Sequence, residues 1–393
     1  MLLKIDVEQP YNNRINKLQG LFIILSVLGF EFFSFISGYI GYSEKLSISY
    51  RLFYLIIGIA IIAINTYWYK GKIGFSTSFK IILFFWVLYL VRSIFDTLQN
   101  TDNTTITQFW LFSFLICFCS MFPLITKINH STLKIAKKGL FFLALLTNIL
   151  ALNNTASGIS EAIGTRYSGN EILNSITSGQ VGLVLVILSL SFFLDSTKKT
   201  KLFYLCFILL GLVNIGIAAS RGPLLQLFCV LGFLIIYKFD KFKYSFYFII
   251  TLILVYLIFV LSEYLFIFNS VADRIINTNI SEERPAIFID SWNLFTENPI
   301  FGHGTIEEYA HNIFLGSLES IGFLGGVLIF IIYKNAFKES IKLVRTRDTD
   351  WVALLLVMQL VAALTSGAIW NSFQLWALLA LVTNLYRNRN LYA

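Results

Sequence analysis

Followed by its apolar and polar positions, the chain is a succession of long apolar runs separated by short segments rich in lysine. A window of about 19 residues, the length that crosses a bilayer as a helix, picks out about twelve runs. They lie at about 19–40, 52–68, 79–95, 107–125, 139–152, 176–194, 202–219, 222–237, 244–266, 311–333, 351–367 and 371–386. The fifth and eighth are short. Two of the intervening segments, about 153–175 and 267–310, are too long to be simple turns, and long ordered loops usually carry function. The pattern predicts an all-α polytopic membrane protein with about twelve transmembrane helices. Residues 1–393 are expected to form a single integral domain, with a long, partly helical outer loop between spans nine and ten.

Composition agrees with this reading. The chain is 57% hydrophobic and 13% charged, an apolar surface that a soluble domain cannot hide. The first ~17 residues are too polar for the core of a signal peptide, so the first apolar run is expected to be retained as a helix. Cys117, Cys119, Cys206 and Cys229 all fall inside apolar runs and read as small buried hydrophobes.

Charge sets the orientation. With the N-terminus inside, 23 of the 30 Lys and Arg residues fall in inner segments, so both termini are expected in the cytoplasm. The net charge of +8 then reflects topology and attraction to the inner leaflet; no nucleic-acid partner is expected. The exceptions are Lys45, Arg51, Arg92, Arg166, Arg221, Arg274 and Arg284. Six of them are arginines, although lysines outnumber arginines in the chain. Singly, such an arginine pairs with a nearby acid or a lipid headgroup. As a group, they point to bidentate recognition of phosphate or carboxylate on the outer face.

The long outer loop has local structure of its own. In "RPAIFIDSWNLFTENPIFGHG", Pro285 suits a first helical turn. Ile287, Phe288, Trp292 and Phe295 recur at helical spacing, which predicts an amphipathic helix that lies on the membrane or packs on the other outer loop. Pro299, Gly302 and Gly304 end it. Thr305-Ile-Glu-Glu308 has the capping-box pattern and predicts a new helix that runs on into the tenth span. His311 would then sit in its second turn, with Glu307 and Glu308 one turn back. Those carboxylates either orient the imidazole or simply favour the helix start. Deeper in the helix, Glu319 reads as a buried structural pair or as part of a polar cavity. Gly322 and Gly326 read as a close-packing pair.

The residues exclude several chemistries. No His/Cys/Asp cluster has metal spacing, so no metal and no cofactor are expected. There is no nucleophile elbow and no P-loop. "DTD" at Asp348–Asp350 mimics the metal-binding motif of soluble glycosyltransferases, but it lies in a short inner segment with no nucleotide-binding fold around it. Arginines without metal-binding acids suit a lipid diphosphate held by guanidinium groups. A histidine among them can take a proton from an attacking hydroxyl.

"ASRG" (Ala219–Gly222), "ERP…W…NPIFGHG" (Glu283–Gly304) and "HN" followed after nine residues by "GxxG" (His311, Asn312, Gly322, Gly325) occur in this order. The pattern resembles the O-antigen ligase and repeat-unit polymerase superfamily: the Wzy-type polymerases of O-antigen and capsule and the WaaL-type ligases. "TRYSGNEILNS" (Thr165–Ser175) is similar to the region before that family's sixth span, with "EILNS" where the family has Asn-Pro-Asn. The resemblance covers about residues 160–330 by motif.

It implies a GT-C-like, metal-independent membrane glycosyltransferase of the bacterial inner membrane, with its active site facing the periplasm. The substrate would be an undecaprenyl-diphosphate-linked glycan, and flippase and chain-length regulator proteins would be partners beside the lipid bilayer. By position, Arg221 and Arg284 would grip the diphosphate, Arg166 would contact glycan or phosphate, and His311 would serve as the base or orient the acceptor. The wording of the motifs is closer to the polymerases, which join repeat units, than to the ligases, which transfer glycan to lipid A-core. A transporter or flippase is the rival of another class, since twelve spans with both ends inside also suit carriers.

Overall fold

The computed structural model describes residues 8–40, 43–69, 75–99, 111–156, 175–218, 220–238, 284–305 and 310–389. All its regular structure among these residues is helical. In chain order the helices are α1 (Glu8–Ile24), α2 (Phe30–Ile40), α3 (Ser43–Tyr69), α4 (Thr77–Gln99), α5 (Met121–Leu124), α6 (His130–Ala156), α7 (Ser175–Asp195), α8 (Lys198–Ile217) and α9 (Arg221–Lys238). After the long loop come α10 (Arg284–Glu297), α11 (Ile313–Ile321), α12 (Phe323–Leu343), α13 (Asp350–Ser366) and α14 (Phe373–Arg387). A π-helical stretch, Leu25–Gly29, joins α1 to α2, and another, Leu111–Phe118, precedes α5.

Seven helical segments among the described residues are long and apolar enough to cross a membrane, and they coincide with the predicted spans one to three and five to eight. The expected ninth span, 244–266, lies outside the described residues. The fifth is longer than expected: its apolar segment runs from His130 to Leu152, not from about 139. Lys134, Lys137 and Lys138 shortened the apolar window, yet Lys137 is buried because carboxylates meet it inside the bundle.

The core is built on α13 and α14, whose side chains are mostly buried. With 17 and 15 residues they are about 26 and 23 Å long, less than the ~30 Å of a hydrocarbon layer. α13 packs against α7, α9, α11, α12 and α14, and α14 also packs against α4, α5 and α12. Helices α3, α4 and α8 instead carry rows of exposed apolar side chains, such as Ile59, Phe84 and Leu209. Those rows suit contact with lipid.

One end of the bundle is closed by ion pairs. Asp350, fully buried at the start of α13, accepts a 2.7 Å hydrogen bond from Ser191 of α7 and is paired with Lys238 at the end of α9. Lys137 of α6 reaches both Asp350 (3.9 Å) and Asp195 (3.3 Å), and Arg347 caps Asp195 at 2.8 Å. His130 pairs with Asp348 at 3.2 Å on the more exposed rim. The aspartates of "DTD" are therefore structural, and no group of metal-holding side chains is found among the described residues.

A buried charge stripped of its partner is costly, whereas a rim pair contributes little. Asp350→Ala strands Lys238 and is expected to destabilise the protein by about 3–5 kcal/mol. Asp348→Ala is expected to cost less than about 1 kcal/mol. Unfolding midpoints of the two variants in detergent, measured side by side, check the contrast; equal midpoints would refute it.

Candidate functional site

Topology places the site at the end of the bundle opposite the ion pairs. Lys238 at the end of α9 meets Asp350 at the start of α13, so these two helices run antiparallel. Arg221, the first residue of α9, therefore lies at the same end as the last turn of α13. There the Asn312 amide donates a 2.9 Å hydrogen bond to the Leu364 carbonyl. The chain thus brings Arg221 and the His311–Asn312 pair to one end of the bundle. Arg221 is exposed. Arg284 is the first residue of α10, and its backbone alone is described. Arg166 lies outside the described residues, as do Glu307 and Glu308.

The tenth span is not one helix, contrary to expectation. The chain breaks at Gly322 (φ +76°), leaving the nine-residue α11 before the 21-residue α12. A helix of nine residues is about 14 Å long and cannot cross a bilayer. The turn that follows α10 docks against the break. Phe323 N–H donates to the Pro299 carbonyl at 2.8 Å, and His303 N–H donates to the Glu319 carbonyl at 2.6 Å. Main chain meets main chain so closely that side chains are excluded. A Cβ on Gly322 would lie 2.4 Å from the Ile300 oxygen, and one on Gly302 would lie 2.6 Å from the Glu319 oxygen. Gly322 is therefore a chain break and docking point, while Gly326 alone keeps the packing role, set against Leu318.

His311 does not stand inside a helix either. It has φ +51°, the only positive φ outside glycine among the described residues, and it precedes the helix. The left-handed region costs an L-residue roughly 1–2 kcal/mol, and histidine is among the types that tolerate it. The N-cap is Asn312, whose side-chain oxygen accepts from Phe314 N–H (2.9 Å) and Leu315 N–H (3.1 Å). The capping box at Thr305 misled the sequence reading because an Asn N-cap seven residues later starts the helix instead. "HN" is thus a strained histidine followed by the residue that caps α11 and ties it to α13.

A sequence-distant pair on α4 completes the site. Asp96 accepts from both the N–H (2.6 Å) and the hydroxyl (2.8 Å) of Thr305, and it pairs with Arg92 at 3.0 Å. Arg92 in turn donates to the His303 carbonyl at 2.6 Å. Arg92 is thus engaged with a nearby acid, the simpler of the two readings of a lone arginine. The Arg92–Asp96 spacing of i, i+4 was visible in the sequence; its partner, more than 200 residues on, was not.

Between the 304–305 segment, α11 and the Gly367–Trp370 turn lies a small polar pocket of about 20 Å³, roughly the space of one water. Tyr89, Thr305, Asn312, Glu319 and Trp370 line it, and so does Ala310, so both chain neighbours of His311 face it. Glu319 is 2% exposed and lines this cavity. α10 forms as expected, but its apolar face is only partly covered. Ile289, Trp292, Ile300 and Phe301 are exposed, and so are Phe323 and Leu324 at the start of α12.

Residues 205–330, from within α8 to within α12, match the family described as O-antigen ligase. The match supports a likeness to the O-antigen ligase/polymerase superfamily over that stretch. No curated protein matches it. The match spans Arg221, Arg284, His311 and the break at Gly322, so the O-antigen ligase stretch contains the whole docked unit of α10, α11 and the turn between them.

Because Asn312 both caps α11 and donates to α13, its two roles can be separated. Asn312→Ala is expected to cost about 1–2 kcal/mol for the cap, with only a small further loss at the Leu364 carbonyl, which is exposed and can turn to water. Asn312→Asp keeps the cap and loses the donor, so its unfolding midpoint should fall between wild type and Asn312→Ala. A midpoint for Asn312→Asp at or below that of Asn312→Ala would show that the cap carries no weight.

Proposed function

We propose that this protein is a repeat-unit polymerase of the O-antigen ligase/polymerase superfamily. It would join oligosaccharide units carried on undecaprenyl diphosphate at the outer face of the bacterial inner membrane, with both termini in the cytoplasm. The observation that carries the glycosyltransferase reading is the O-antigen ligase match over 205–330, which contains two helix-opening arginines and a histidine held out of its helix; the choice of polymerase rests on the wording of the motifs.

The roles follow from charge and geometry. Arg221 and Arg284 each stand at the first residue of a helix, where unpaired N–H groups and the helix dipole already favour an anion. A guanidinium at the same place adds a planar two-donor grip for phosphate oxygens. The diphosphate leaves as the bond from its oxygen to the sugar's anomeric carbon breaks, and the arginines stabilise the charge that develops on it. His311 takes the proton of the acceptor hydroxyl as its oxygen forms the new bond to that carbon. Arg166 would contact the glycan or the phosphate from the preceding outer loop. No step in this scheme calls on a metal. Flippase and chain-length regulator proteins are the expected partners, since one must deliver each unit and the other set the length.

The second reading is transfer of finished glycan to lipid A-core, which the O-antigen ligase description favours. Deletion of the gene separates the two. Loss of a polymerase leaves single repeat units on the cell surface; loss of a ligase leaves long chains on the lipid carrier. Surface glycan of normal amount and length would sink both, and undelivered units on the inner face would favour a flippase. His311→Ala, expressed at the wild-type level, is expected to abolish product. Product at the wild-type rate would remove the histidine from the chemistry.

A further inference from the structure

Among the described residues between α10 and His311, His303–Thr305 is held by two other helices, α4 and α11. The His303 N–H is held by the Glu319 carbonyl of α11 and its carbonyl by the Arg92 guanidinium of α4. The Thr305 N–H and hydroxyl are both held by one oxygen of Asp96, whose other oxygen is paired with Arg92. Asp96 is 12% exposed and Arg92 27%, so these are largely desolvated, charge-assisted bonds. Gly304, between the two anchored residues, lies directly over Asp96. Five residues after Thr305 the chain reaches buried Ala310, which lines the same pocket as Thr305, and then His311.

From this geometry we infer that Arg92 and Asp96 are positioning residues for His311: a clamp on α4 that fixes the 303–305 strap and, through it, the approach of the histidine to the acceptor. The inference rests on the reading of His311 as the acting base. Neither residue touches the reacting atoms; both act on the main chain that carries the histidine. α4 also packs against α11 and α12 directly, so the clamp ties the strap to the same helix that supports the break. A pair of charges serves here because Asp96 must accept two bonds from Thr305. An uncharged acceptor at that depth would hold the strap more weakly, and without Arg92 the carboxylate would be buried with no counter-ion.

The chain has three histidines, so full-length protein labelled at the imidazoles gives three signals. His311→Ala assigns one of them. His130, at the ion-pair end with Asp348, is the internal control. Asp96→Ala is expected to move the His311 and His303 signals, leave His130 in place, and lower turnover about ten- to hundred-fold per folded molecule. Asp96→Asn still accepts from Thr305 and should recover part of that loss. Thr305→Val removes one strap bond without touching α4 and should shift the same two signals by less; it decides the matter if Asp96→Ala fails to fold. An unmoved His311 signal in the folded variants overturns the clamp, whatever the turnover. A moved signal with wild-type turnover leaves the clamp standing and sinks the catalytic reading of His311 instead.

Discussion

The site rests on one constraint: a helix cannot be broken inside a membrane bundle unless something else satisfies the main-chain groups it releases. At Gly322 the break leaves carbonyls at the end of α11 and N–H groups at the start of α12. The turn after α10 supplies both partners, His303 N–H for the Glu319 carbonyl and the Pro299 carbonyl for Phe323 N–H. Two glycines, 302 and 322, let the chains come close enough to do so. Everything on the functional side follows from that docking. α11 can be short because the turn completes it, and His311 can stand outside the helix because Asn312 starts α11 one residue later. α10 is fixed to the bundle through the backbone of the turn that follows it and not by side-chain packing alone.

This arrangement explains why much of the fold was legible in the sequence while the centre of the site was not. Apolar windows found the spans because lipid contact demands long uninterrupted runs, and α4 or α8 show that demand plainly. The amphipathic α10 was legible for a related reason, its 3.6-residue period. The break was not. Residues 311–333 are apolar throughout, and hydropathy does not register a change of backbone direction at one glycine. Gly322 and Gly326 share the four-residue spacing of a packing pair, yet only Gly326 packs that way. The start of α11, though not the break, had a signal in the competition between two starts. The capping box at Thr305 and the Asn at 312 cannot both open the same helix, and the asparagine lies nearer the apolar run. The Asp96–Thr305 bond has no local signature at all, being a contact between residues 209 positions apart.

The two ends of the bundle use charge in opposite ways. At the lysine-rich end, carboxylates and cations neutralise one another inside the protein, and Asp350 draws α6, α7, α9 and α13 together. At the other end the two central helices stop short, and the Gly367–Trp370 turn between them leaves a polar pocket beside the strap. The exposed Trp292, Phe301 and Phe323 surround that end with apolar surface while the pocket stays polar.

Two of the arginines outside the inner segments already have partners within the protein. Arg92 is occupied by Asp96 and the His303 carbonyl, and Arg51 lies 5.9 Å from the ring of Phe30. A guanidinium committed to an internal carboxylate has little left for a substrate phosphate, because separating a partly buried pair costs more than a new anion returns. Arg92 therefore serves architecture. Arg221 and Arg284 differ in kind, since each begins a helix whose first N–H groups have no intrahelical partner. The sequence could count stray arginines, but only the fold shows that Arg92, held by Asp96 and the His303 carbonyl, belongs to the architecture.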